Sequence, residues 1–285
     1  MPIYIYKGNS QISTNAVRND KAVKAIYAKE QGKDVVCVWG RIPYEQMFTY
    51  SITDNKVKIT GLKPEVQTAY ITIPNIISDK QVDSIADSAF KNKTNIVNLM
   101  VSDNVTRIGS GAFSGCSSLI SATIGVGVVA VGEYVFNAPK LSGVSFMGKA
   151  PTLVGSSVFY TATPTVYVTD KWDSDTQTWK GRPVKQVHLN VSPDNKTTFD
   201  KSLTITMSCD CDEATVRYTL DGSKPTCEST AYSSRFRIAE KTRVRAQAFV
   251  GQLPVGSPVD VVYGKGIVST PAFTPAEVTE FTGRK

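Results

Sequence analysis

Four phenylalanines recur at one interval in this chain: Phe90, Phe113, Phe136 and Phe159, each 23 residues after the last (113 − 90, 136 − 113, 159 − 136). Five residues before each stands a branched aliphatic: Ile85, Ile108, Val131 and Val154. A third apolar position follows at Ile96, Leu119 and, one residue early, Leu141. A period of about 20–29 residues is far too long for a single helix or strand repeat. It marks a supersecondary unit that cannot bury its apolar face alone and stacks on its neighbours. The pattern predicts a solenoid, an architecture that offers surface more than it encloses chemistry. It therefore points first to a binding or structural protein.

The units run Val82 to Asn104, Val105 to Gly127 and Val128 to Ala150, with a degenerate unit from Pro151. The clearest copy is Val105-Thr106-Arg107-Ile108-Gly109-Ser110-Gly111-Ala112-Phe113-Ser114-Gly115-Cys116-Ser117-Ser118-Leu119. Glycine after the aliphatic suggests a tight corner with unusual dihedrals. The phenylalanine is expected inside the stack, where its burial contributes roughly 1.5–3 kcal/mol. Ala86 replaces that glycine in the first unit, and Ala138-Pro139 falls where the third is one residue short. A hairpin over Ser51–Gly61, turning at Asp54-Asn55, precedes the repeats. This pattern resembles the BspA-type leucine-rich repeat family. The resemblance implies short strands on one face, more irregular segments on the other, and a solenoid over residues 46–190. The stack ends in Thr165–Trp172 and Trp179-Lys180-Gly181. Trp172 and Trp179 are candidates for stacking against a sugar ring; the competing reading is that they plug the open end.

Residues 191–264 alternate through short strands, Leu203–Met207, Thr215–Leu220, Thr242–Phe249 and Val259–Tyr263, separated by the turn cluster Asp221-Gly222-Ser223-Lys224-Pro225-Thr226. That spacing predicts an immunoglobulin- or fibronectin-like sandwich. Arg217–Thr226, with Ala231-Tyr232 and Val244–Ala248, resembles the chitobiase/β-hexosaminidase C-terminal-type domain. The resemblance implies an accessory module without catalytic residues. Asp221 sits in Asp-Gly-Ser and is expected to form a turn rather than act as an acid. Glycoside hydrolysis needs two carboxylates flanking a cleft, and no such pair stands out.

Residues 1–45 read as a small β-rich module: Ile3–Tyr6, a turn at Lys7–Ser10, then strands at Ala22–Tyr27 and Val35–Trp39 around Gln31–Asp34. A segment so short is marginal alone. The order Ile-Tyr-Lys-Gly-Asn, Val-Lys-Ala-Ile-Tyr, Gly-Lys-Asp-Val-Val-Cys-Val-Trp resembles N-terminal anchoring modules of tailed-phage virion proteins. On that resemblance Tyr4, Tyr6, Tyr27 and Trp39 are anchoring candidates; the alternative is a cap for the solenoid. The tail, 265–285, reads as extended, either disordered or docked on a neighbouring subunit.

The remaining composition narrows the function classes. The net charge is +7, from 32 Lys and Arg against 25 Asp and Glu. The densest basic stretches, Arg235–Arg237 and Lys241–Arg245, alternate as strand residues do and are expected to form a solvated face rather than a nucleic-acid site. No apolar run reaches the 18 residues a spanning helix requires, so no membrane insertion is expected, and Met1–Gly8 does not read as a secretory signal. Cys37, Cys116, Cys209, Cys211 and Cys227 form no regular framework and are expected to be reduced. Cys209-Asp210-Cys211 with Cys227 falls short of the four-ligand set of structural zinc, so no metal or cofactor is expected. His188 is the sole histidine and cannot build a two-histidine site. Neither a phosphate loop nor a Gly-x-Ser-x-Gly elbow occurs, and the chain is not expected to be an enzyme.

Taken together, the chain is expected to be mainly β, with an anchor, a solenoid and a sandwich in series. The function expected from this layout is a non-enzymatic structural protein of a bacteriophage virion, in a fibre or appendage or as a decoration protein. It would hold other virion proteins through residues 1–45 and present an adhesive surface to a host glycan or protein, as a homodimer or homotrimer. The alternative is a bacterial cell-surface adhesin or carbohydrate-binding protein.

Overall fold

The computed structural model describes residues 44–173, 177–194 and 198–266 in full. Before them it describes the backbone of four strands, Ile5–Lys7, Ser10–Ile12, Ile26–Glu30 and Lys33–Cys37. By its internal contacts the chain divides into Met1–Gln46 and Met47–Lys285. In the first unit the strands pair antiparallel two by two, Ile5 opposite Ile12 and Ile26 opposite Cys37. In the second pair Glu30 stands opposite Lys33.

The second unit opens on a hairpin, Phe48–Thr53 with Lys56–Leu62. Asp54 and Asn55 both take positive φ, 49° and 60°. Two left-handed central residues make the tight hairpin turn whose twist matches the flanking strands, and Asp and Asn tolerate that region best after glycine. Behind the hairpin the chain coils through stacked turns, each adding one strand to each of two parallel sheets. One sheet holds Tyr70–Ile73, Asn98–Val101, Ser121–Ile124, Gly143–Phe146, Thr165–Val168 and Arg182–Gln186. The other holds Lys80–Ile85 and two-residue strands at Arg107–Ile108, Ala130–Val131 and Leu153–Val154. The strands are thus distributed over both faces, and the brevity of those on the second face is what gives it its irregular character.

Register explains the early leucine. The two-residue strands pair at a constant 23 (107 − 84, 130 − 107, 153 − 130). In the opposite sheet Ser121 pairs with Gly143 and Gly143 with Thr165, both 22 apart (143 − 121, 165 − 143). The residue lost before Leu141 is regained before Leu153, so the stack stays aligned.

Inside, the repeat phenylalanines form a ladder. Phe90 and Phe113 lie 5.0 Å apart at 4°, Phe113 and Phe136 6.0 Å at 11°, Phe136 and Phe159 5.8 Å at 16°. At one end Phe48 meets Phe90 edge-on, 6.2 Å at 86°. At the other Trp179 meets Phe159 edge-on, 5.7 Å at 72°. Offset stacking within and edge contacts at the ends are the two arrangements that aromatic quadrupoles favour.

The glycine after each aliphatic has a different cause from the one its corner position suggests. Gly109, Gly132 and Gly155 are not among the positive-φ residues. A Cβ on them would instead lie 2.4 Å, 2.5 Å and 2.7 Å from backbone nitrogen of Asp87, Ser110 and Glu133, in the preceding turn. Glycine is there because stacked backbones touch. The left-handed positions fall two residues later, at Ser88, Gly111 and Tyr134, with φ of 56°, 63° and 54°.

The described residues from Leu189 to Lys265 form a sandwich. A three-stranded sheet, Leu189–Ser192, Leu203–Cys209 and Phe236–Ile238, faces a five-stranded one built on Thr242–Val250 and Leu253–Lys265. Ile205, Val244, Ala246 and Tyr263 lie fully buried between them, and Tyr218 stacks on Phe236 at 4.8 Å. Register slips between Ala246 and Ala248, a β-bulge. There the side chain of buried Gln247 turns inward and its amide donates to the carbonyls of Val255 at 2.7 Å and Gly256 at 3.2 Å.

Candidate binding cleft

The sandwich lies against the outer face of the first parallel sheet. Outward positions that a free sheet would fill with polar groups are instead small or covered: Ser121, Thr123, Gly143, Ser145 and Tyr167 are all buried. Leu253, at the 250–253 turn, packs there with Tyr167, Val187, Cys211, Ala248 and Val255. Gly143 makes the approach possible, since a Cβ on it would stand 2.8 Å from Leu253 Cδ2 and 3.4 Å from the Tyr167 ring.

Polar contacts tie the seam at its margins. Tyr167 OH donates to Glu213 Oε2 at 3.3 Å, and Lys185 forms an ion pair with the same carboxylate. The Lys185 hydrogen bond holds the Glu213 carboxyl below the usual glutamate range. Burial, with the Glu213 charge adding to it, pushes the Tyr167 phenol up to about 12. Asp170 accepts a hydrogen bond from Ser257 Oγ. His188 is held by Asp210, whose Oδ1 accepts the His188 backbone N–H at 2.8 Å while Oδ2 meets Nδ1 at 2.6 Å. Burial raises the Asp210 carboxyl, but the His188 bonds outweigh it and the net shift is downward.

Beside this seam a cleft of about 480 Å³ remains open. Tyr70, Asn98, Ile120, Ser121, Ser142 and Gln252 line it, with Tyr167 and Leu253 behind them. Asn98 Nδ2 donates to Gln252 Oε1 at 3.0 Å, bridging solenoid and sandwich. The Asn98 Oδ1 accepts from Ser121 Oγ. Tyr70 is 44% exposed although it sits on a strand, and its backbone is pinned by Thr68, whose Oγ1 accepts from Tyr70 N at 3.2 Å and donates to Tyr70 O at 2.7 Å.

The residues singled out by sequence fall elsewhere. Trp172 and Trp179 are 6% and 9% exposed and pack with Phe146 and Phe159, 5.1–5.9 Å between ring centroids. The sugar-stacking expectation is corrected accordingly: neither ring has a free face, because both close the last turn of the stack. Arg182 completes that closure, its guanidinium donating to Phe159 O at 2.8 Å. Asp221 forms the expected turn, accepting from Ser223 N at 2.9 Å and Ser223 Oγ at 2.6 Å. Arg243 and Arg245 both pair with Asp260, at 2.7 Å and 3.1 Å, which neutralises part of the basic stretch. Cys116, Cys209, Cys211 and Cys227 are free thiols. Tyr6 and Tyr27 stand on the strands Ile5–Lys7 and Ile26–Glu30; Tyr4 and Trp39 lie outside the described residues, as does most of the 265–285 tail. Among the described residues no helix is long and apolar enough to cross a membrane.

Comparison with known proteins places names on these two parts. Residues 67–170 match the BspA type leucine rich repeat region in six copies. The chain carries a BspA-type leucine-rich repeat region. Residues 193–259 match the chitobiase/beta-hexosaminidase C-terminal domain. Neither match reaches residues 1–45. Among solved structures, a Bacteroides capillosus leucine-rich repeat protein is similar at 20% identity, covering 50% of this chain and 94% of that one, with a TM-score of 0.37. The Treponema pallidum leucine-rich repeat protein is similar at 19%, covering 42% and 68%, TM-score 0.36. A leucine-rich cell surface protein of Faecalibacterium prausnitzii is similar at 18%, covering 53% and 45%, TM-score 0.34. No curated protein matches the chain.

The cleft is what sequence reasoning missed. Its walls come from positions about 150 residues apart (252 − 98), and no local pattern joins them. One signal was available: Ser121, Gly143 and Ser145 are small residues at outward strand positions, and small outward residues announce that something packs close.

Proposed function

We propose that this chain is a non-enzymatic adhesive protein of a bacterial cell surface, with its repeat solenoid and sandwich joined as one binding body. The observation that carries the reading is the seam itself. Gly143, Tyr167 and Leu253 seat the sandwich closely on the solenoid, and an open cleft lies beside that contact. Preorganised clefts of this kind suit recognition, because little ordering cost remains when a ligand enters. Surface proteins are also what the resemblance to BspA-type repeats implies. Among the described residues, no cluster of three or more histidine, cysteine or acidic side chains could hold a metal.

Purified chain coated on beads tests this. Saturable retention of the beads on cells or glycoprotein-coated surfaces, competed by free chain, is the expected result. Retention that free chain cannot compete would remove the adhesive reading. A second reading, a virion appendage that carries the same binding body, rests on the resemblance of residues 1–45 to phage anchors. It would require deletion of that segment to abolish incorporation into particles.

A further inference from the structure

We infer that the cleft beside the 250–253 turn binds a neutral saccharide. The inference rests on the adhesive reading above and names the ligand class for that surface.

The first argument is the absence of charge. In a chain where 20% of residues are charged and the net charge is +7, no Lys, Arg, His, Asp or Glu is among the described residues that line this cleft. A phosphate, sulfate or carboxylate ligand would need a cationic or N–H-rich partner, and a cationic ligand would need a carboxylate. The lining supplies amides, hydroxyls, two tyrosines and aliphatic carbons instead. A purely apolar ligand is disfavoured as well, since it would desolvate the Asn98 and Gln252 amides without replacing their hydrogen bonds with water.

A sugar ring matches both halves of this surface. Its axial C–H face packs on an aromatic plane, and its hydroxyls both donate and accept. Tyr70 offers an exposed ring on a backbone that Thr68 pins at both N–H and C=O. Beside it, on the neighbouring strand, Asn98 presents an amide aligned by its 3.0 Å bond to the amide of Gln252 from the sandwich. Each primary amide carries two N–H donors and two acceptor lone pairs, so their mutual bond and the Ser121 bond to Asn98 Oδ1 still leave capacity for ligand hydroxyls. Along the solenoid wall the exposed Ser142 hydroxyl, which donates to Ile120 O at 3.2 Å, keeps its lone pairs for a ligand donor. The volume, about 480 Å³, lies within the range of small-molecule sites.

The test uses the full chain, calorimetry and methyl-resolved NMR with a panel of neutral oligosaccharides containing glucose, galactose, mannose or N-acetylhexosamine, and a sialylated oligosaccharide as the anionic comparison. Tyr70 and Gln252 are exposed, so Tyr70→Ala and Gln252→Ala are expected to leave the fold intact, which thermal melting checks. The expected result is binding of at least one neutral oligosaccharide, a shift of the Ile120 methyl in the cleft without one at Ile52 on the opposite sheet, and a loss of about tenfold or more in affinity in each variant. Binding that leaves Ile120 unmoved, binding equally strong in both variants, or binding of the sialylated sugar alone would each overturn the assignment. If the beads adhere but none of the neutral panel binds, the saccharide assignment falls and the adhesive reading stands. Failure of adhesion itself falls on the latter.

Discussion

At the scale of single residues, repeat position decides chemistry. The glycine of the repeat was legible as a requirement, but its reason was not, because sequence cannot distinguish a forced dihedral from a forced proximity. Gly132→Ala places a methyl against Ser110 backbone at 2.5 Å. It is expected to destabilise the chain by about 1–3 kcal/mol, the cost of overpacking, read as a lowered urea midpoint; an unchanged midpoint would mean the stack yields easily. The neighbouring Glu133 shows the same vertical logic. Its carboxylate accepts the N–H groups of Ser156 at 2.8 Å and Ser157 at 3.0 Å, and the Ser156 hydroxyl, and these hold it below the usual glutamate range. A depressed folded value means the contribution is present above the unfolded value, about 4.3, and is lost as pH falls through the folded one. Glu133→Gln is therefore expected to lower the urea midpoint at pH 7 and to match the parent once both are acidified below that range. An equal gap at both pH values would contradict the assignment. Cys116 is buried against Phe90 O, and burial pushes its thiol up to about 11; it is expected to resist alkylation in the folded chain and react once unfolded.

Among elements, the phenylalanine ladder was readable from spacing alone. A fixed period places equivalent residues one above another whatever the local backbone does. Phe113→Ala removes the ring between Phe90 and Phe136 and is expected to cost about 3–5 kcal/mol, measured by chemical denaturation. The bulge at Gln247 was not readable. Arg243 to Phe249 alternates as an unbroken strand, and only the partner strand shows that register slips. A second element-scale prediction concerns the seam. Gly143→Val drives a branched side chain into Leu253 and is expected to loosen the sandwich from the solenoid while each keeps its own core. Faster proteolysis near residues 187–192 with little change in strand content would register it; unchanged proteolysis would show that the seam tolerates the added volume.

For the molecule as a whole, the order of solenoid and sandwich was legible because each carries its own repeat or turn grammar. The cleft was not, since it arises only where Asn98 meets Gln252. The tryptophans illustrate the same limit. Trp172 and Trp179 look like ligand platforms in one dimension and prove to be a plug, because the last turn of a stack exposes an apolar core that something must cover. The account's central claim is that this binding body is displayed on a cell envelope. Immunogold electron microscopy of the source culture, with antibody raised against the full chain, tests it most directly. Gold along cell envelopes, with phage particles bare, is the predicted result; gold on phage particles with bare envelopes would contradict it.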